Sequence, residues 1–117
     1  MRRILIIDDA PVIRKITRRI CEGLQFDVRE VDSAISGINV CRENLPDGVL
    51  IDALLPNQTA IAFVKELRAL AGGAGPKVIF ILMENDVGQI AKIMHAGADG
   101  YILKPFDRHD IMQKFNA

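Results

Sequence analysis

Hydrophobic positions along the chain follow two rhythms that alternate. Apolar runs of strand length recur at Ile4 to Ile7, Phe26 to Val31, Val49 to Ile51, Val78 to Leu82 and Tyr101 to Leu103. Between them the spacing turns helical. Ile13, Ile16 and Ile20 form one set, followed by Ile38, Cys41 and Leu45, then Phe63, Leu67 and Leu70, then Val87, Ile90 and Met94; Ile111 and Phe115 begin a last short one. Each set would line up as one buried stripe on a helix. Strand followed by helix, five times over, predicts an α/β fold. ILII, VLI and VIFIL are continuously apolar, as expected of central parallel strands with helices on both faces. FDVREV alternates instead, which fits an edge strand with one wetter face.

The punctuation agrees. Pro11 can occupy the first turn of a helix, Leu45-Pro46-Asp47-Gly48 breaks a helix before a strand, and Asp86 with Gln89 has the spacing of a capping box. Gly97 can supply a left-handed helix end. The glycine-rich stretch from 72 to 75 precedes a strand rather than opening a helix after one, so it reads as a turn and not as a phosphate cradle.

Three acids stand where this pattern makes them conspicuous. Asp8 and Asp9 close the first apolar run and Asp52 closes the third. In a doubly wound sheet, ligands bind beyond the carboxyl ends of the strands. If the two runs are neighbouring parallel strands, three carboxylates share one shallow pocket. Like charges that close oppose each other's ionisation, and a hard cation such as Mg²⁺ removes that cost while leaving waters free for phosphate oxygens. The arrangement points to phosphoryl chemistry.

Composition narrows the class. At 117 residues the chain has the size of one compact domain, and half of it is hydrophobic, which argues against disorder. The formal net charge is zero, so nothing global draws it to nucleic acid or to an anionic membrane. No apolar run approaches the ~20 residues of a membrane span, and the expected location is cytoplasmic. Cys21 and Cys41 lie at apolar helical positions without metal-ligand spacing, as do buried free thiols. His95 and His109 lie far apart in separate helices and read as surface residues.

With these parts in view, the chain resembles the receiver domain of bacterial two-component response regulators, in particular the stand-alone chemotaxis type. The residues that carry the resemblance are Asp8-Asp9, the apolar strand ending in Asp52, Pro56 four residues on, and AGADGYILKPF from Ala96 to Phe106 with its Lys104-Pro105 pair. It extends from Arg3 to Phe115. The resemblance implies a flavodoxin-like (βα)5 fold with a five-stranded parallel sheet in the order 2-1-3-4-5, and one receiver domain over residues 1–117 with no output domain. It further implies that Asp52 is the phosphoacceptor, that Asp8, Asp9, Asp52 and the backbone carbonyl of Leu54 hold Mg²⁺, and that Lys104 pairs with the phosphoryl group. A cis bond before Pro105 would be in keeping with the family. Tyr101 occupies the aromatic switch position; read on its own it is an aromatic core residue at a strand end. The implied partners are a histidine kinase or histidine phosphotransfer protein and a downstream protein target, with a homodimer left open. Arg14, Lys15, Arg18 and Arg19 form a basic run on the first helix. It is either a solvated face or, as the family uses this helix, a docking surface for the phosphodonor protein.

The chain departs from the family at the end of the fourth strand. A Ser or Thr hydroxyl usually bonds the phosphoryl group there, and both the count from Asp52 and the count from Lys104 reach Leu82, followed by Met83. Leucine offers no donor. Nearer the acids, Leu54 puts an apolar side chain where a polar one is common, and Thr59-Ala60 replaces an Asp-Gly-like turn. Three functions follow as expectations: a phosphorelay receiver with an atypical switch, a pseudo-receiver adaptor that binds without phosphate, and a small hydrolase or phosphatase using the acids. The last lacks a second acid or base placed for turnover.

Overall fold

The computed structural model describes residues 2–115. Five strands, β1 (Arg3–Ile7), β2 (Asp27–Val31), β3 (Gly48–Asp52), β4 (Lys77–Leu82) and β5 (Gly100–Leu103), form one parallel sheet in the order β2-β1-β3-β4-β5. The continuously apolar runs are its three central strands and the alternating run is an edge, as the two-sided burial argument requires. The helices are α1 (Pro11–Gly23), α2 (Ala34–Glu43), α3 (Thr59–Ala69), α4 (Val87–Ala96) and α5 (Arg108–Phe115), with a short 3-10 turn at Pro56–Gln58.

Alternation along each strand sends successive side chains to opposite faces. Leu5, Ile7, Val49, Ile51, Phe80 and Leu82 pack under α2, α3 and α4 with Ile38, Phe63, Leu67 and Ile93. Ile4, Ile6, Leu50, Ile79 and Ile81 pack under α1 and α5 with Cys21, Ile111 and Phe115. Gly48 is needed for the second layer. A Cβ there would lie 2.5 Å from the Phe115 ring and 2.7 Å from Ile4. On the first layer, Arg68 at the end of α3 donates five hydrogen bonds, two to the Gly97 carbonyl and one each to the Gly73 carbonyl, the Pro76 carbonyl and Asp99. It ties α3 to the end of α4 and to the start of β4.

Two of the helical stripes sit differently from their spacing. On α1 the buried residues are Thr17 and Cys21, while Ile16 is 48% exposed. The rotation is possible because the Thr17 hydroxyl donates to the Ile13 carbonyl at 2.8 Å, so a polar residue enters the core with its hydrogen bond satisfied. On α4 the buried residue is Ile93, with Ile90 partly buried, and Val87 and Met94 are exposed. α4 meets the sheet and α3 along that narrower line, leaving its outer flank apolar and uncovered. Among the described residues no helix is long and apolar enough to cross a membrane. Both cysteines are free and buried, and burial pushes the Cys21 thiol up to about 12 and that of Cys41 to about 11.

Candidate functional site

Strand register assembles the acids. Ile7 pairs with Ile51, so Asp8 leaves β1 beside Asp52 at the end of β3. Asp8, Asp9 and Asp52 each bring one carboxylate oxygen to within 4.8 Å of the others. Asp8 and Asp52 are buried and Asp9 is exposed, so the cluster opens to solvent on one side.

Each buried carboxylate is aimed by the chain that follows it. The Ala10 N–H donates to Asp8 Oδ1 at 2.9 Å, and the Leu54 N–H donates to Asp52 Oδ1 at 2.9 Å. One oxygen of each is thereby held by the backbone that follows. Asp52 Oδ2 lies 3.4 Å from Lys104 Nζ. Asp8 Oδ2 has no hydrogen-bond partner among the described residues, although it is fully buried. Burial raises the Asp8 pKa above its ordinary value; the charges of Asp52 and Asp9 push the same way, and the Ala10 N–H and Lys104 oppose them. A buried anionic oxygen without a partner is unfavourable unless a cation meets it. With three carboxylates, one such oxygen and an open side, the donor set fits a hard, oxygen-seeking divalent ion.

Lys104 follows β5, and its N–H is held by the Leu82 carbonyl at 2.8 Å, which brings its side chain to Asp52. The Lys104-Pro105 bond is cis. Leu82 is fully buried in the layer beneath α3 and α4, and Met83, the next residue, is exposed. Half-buried Tyr101 packs against that same layer; its hydroxyl lies 3.4 Å from Asn85 Oδ1, and Lys114 Nζ lies 6.0 Å from its ring centroid. The Leu54 side chain is 56% exposed, beside the acids rather than in the core. Asn57 and Gln58, in the turn that follows, adopt left-handed backbone with φ of 58° and 57°.

The basic run on α1 is only partly free. Arg14 turns back toward the sheet. Its Nε bonds Glu30 at 3.0 Å, and its Nη1 donates to the Asp8 backbone carbonyl at 2.9 Å. Arg18 pairs with Glu30 at 3.2 Å and with Glu22 at 3.3 Å. Lys15 and Arg19 are exposed and form no ion pair among the described residues. Glu30 escaped sequence reasoning. Its only signal is a polar position on the alternating edge strand, and Arg14 lies 16 residues away.

A family model described as the response regulator receiver domain matches residues 4–116. The chain belongs to that family. It is 30% identical to the chemotaxis protein CheY of Halobacterium salinarum, over 95% of this chain and 91% of that protein. It is 28% identical to the DNA-binding response regulator MtrA of Mycolicibacterium smegmatis over 99% of this chain, which spans 50% of MtrA. A solved CheY-like receiver domain from Methanospirillum hungatei superposes with a TM-score of 0.88 at 27% identity, covering 99% of this chain and 91% of that one. Receiver domains act in two-component signalling and bind Mg²⁺ in an acidic active site.

Proposed function

We propose that this receiver accepts a phosphoryl group on Asp52 from the phosphohistidine of a kinase or phosphotransfer protein. The observation that carries the reading is the Asp52 carboxylate, with Oδ1 held by the Leu54 N–H and Oδ2 facing Lys104 inside the Asp8–Asp9 cluster. In the transfer the donor's N–P bond breaks as an Asp52 O–P bond forms, and the imidazole leaves. Lys104 follows the phosphoryl oxygens as a mobile point charge. Asp8, Asp9, Asp52 and the Leu54 carbonyl would hold Mg²⁺, which neutralises charge on the transferring group when bound. Lys15 and Arg19 are the exposed α1 cations available to steer an acidic partner; Arg14 and Arg18 are engaged with Glu30. Signalling to a downstream protein target would pass through the exposed surface of α4, β5 and α5, in the cytoplasm.

Leu82 favours a second reading. A fully buried leucine supplies no hydroxyl to a phosphoryl group and belongs to the apolar layer against which Tyr101 packs, which supports a pseudo-receiver whose binding does not follow phosphorylation. Incubation with Mg²⁺ and acetyl phosphate, followed by intact mass, separates the two. A gain of one phosphoryl group that Asp52→Asn abolishes supports the phosphoacceptor, and no gain supports the adaptor. Sustained phosphate release from many donors would instead indicate a hydrolase.

A further inference from the structure

We infer that Arg14 is a positioning residue for the metal site: through Glu30 it locks the backbone of Asp8 to β2 so that Asp8 Oδ2 points into the acid cluster. The inference rests on the reading of the acids as a Mg²⁺ site. Asp8 is the last residue before the β1–α1 turn, where a strand end has lost its pairing. One direct bond to β2 and one relayed to it through Arg14 on α1 hold the backbone there. The Asp8 N–H donates to the Val31 carbonyl at 3.2 Å, and its carbonyl accepts from Arg14 Nη1 at 2.9 Å. Arg14 is in turn held by Glu30 at 3.0 Å, with its side chain only 17% exposed. The Ala10 N–H takes Asp8 Oδ1. With N–H, carbonyl and Oδ1 all engaged, Oδ2 is the Asp8 acceptor that has no partner among the described residues and is free to meet a cation.

A guanidinium suits this task because its rigid fork can bond a carboxylate and a carbonyl at once, which an ammonium at the end of a flexible stem does less well. The sequence left Arg14 on either a solvated or a docking face; its inward turn gives it a different partner within its own chain.

The sign of the effect makes the inference testable. A cation beside a Mg²⁺ site repels the ion, so removing its charge alone should tighten binding. Loss of a positioning contact should do the opposite, by about tenfold if it acts as other residues supporting metal ligands do. Mg²⁺ is titrated as the chloride into wild type, Arg14→Gln, Arg14→Lys and Glu30→Gln, followed by backbone amide NMR shifts, with thermal unfolding in EDTA run alongside. The expected order of affinity is wild type, then Arg14→Lys, then Arg14→Gln, with Glu30→Gln also weakened and all four still folded in EDTA. An Arg14→Gln protein that binds Mg²⁺ as tightly as wild type, or more tightly, overturns the inference while leaving the Mg²⁺ site itself intact. If Arg14→Gln does not fold, Arg14→Lys decides, because it keeps the charge and loses only the fork, and unchanged affinity there overturns the inference too. Wild type without Mg²⁺ affinity would remove both this inference and the phosphoacceptor reading.

Discussion

Asp8 carries an electrostatic cost in the metal-free protein. Its buried oxygen, unpartnered among the described residues, and its raised pKa mean that the ionised side chain opposes folding unless a cation arrives. Asp8→Asn should therefore stabilise the metal-free protein by about 1 kcal/mol, read as a higher Tm in EDTA, while abolishing the further rise expected of wild type with Mg²⁺. Glu30 is the opposite case. The hydrogen bond from Arg14, helped by Arg18, holds its pKa below the ordinary 4.5. A lowered acid contributes its stability fully above that ordinary value and loses it as pH falls through the folded pKa. Urea unfolding of wild type and Glu30→Gln should then differ by on the order of 1 kcal/mol at neutral pH, and the difference should shrink in acid below 4.5. At Leu54, exposed beside the acids, Leu54→Asn is expected to change the lifetime of an acyl phosphate on Asp52, read from its decay by intact mass; equal lifetimes would remove that residue from the chemistry.

At the scale of elements, β4 and α1 bear most on the proposed output and input. β4 delivers Leu82 to the end of the sheet with its side chain in the core, so a phosphoryl group on Asp52, accepted as proposed, would find no hydroxyl there to draw the following loop inward. A ligand that distinguishes two states poorly shifts them little. Acetyl phosphate should accordingly produce only small amide shifts over α4, β5 and α5 in wild type and larger ones in Leu82→Thr. The substitution also removes buried apolar volume and should cost roughly 2 kcal/mol of stability. On α1, the double change Lys15→Glu with Arg19→Glu should slow transfer from a protein donor and leave the reaction with acetyl phosphate unchanged; equal losses in both would exclude docking. Element positions were legible because burial on two faces leaves continuous apolar runs and burial on one leaves alternation. The α1 stripe was not, since Thr17 satisfies its own hydroxyl against Ile13, a local bond that hydrophobic spacing does not record. Nor were the left-handed Asn57 and Gln58, which carry no glycine to announce them.

Across the whole molecule, parallel order brings residues far apart in sequence to one rim. Asp8, Asp9, Asp52 and Lys104 could be placed together in advance because each ends a strand whose neighbours were implied by the resemblance. The Glu30–Arg14 clamp could not, because a side chain on an edge strand gives no sign of which helix residue will reach it. Arg68 is similar: nothing in its spacing marks it, yet it joins three segments through five hydrogen bonds. Arg68→Ala should lower unfolding free energy by roughly 2 to 3 kcal/mol in urea, as four carbonyl and carboxylate acceptors lose a charged donor. Finally, the two sequestered sulfurs have a practical corollary. With both thiols buried and resistant to ionisation, a cysteine introduced on the outer flank of α4 would react with a maleimide probe ahead of them. Fluorophores or spin labels could report on that flank in an otherwise native background.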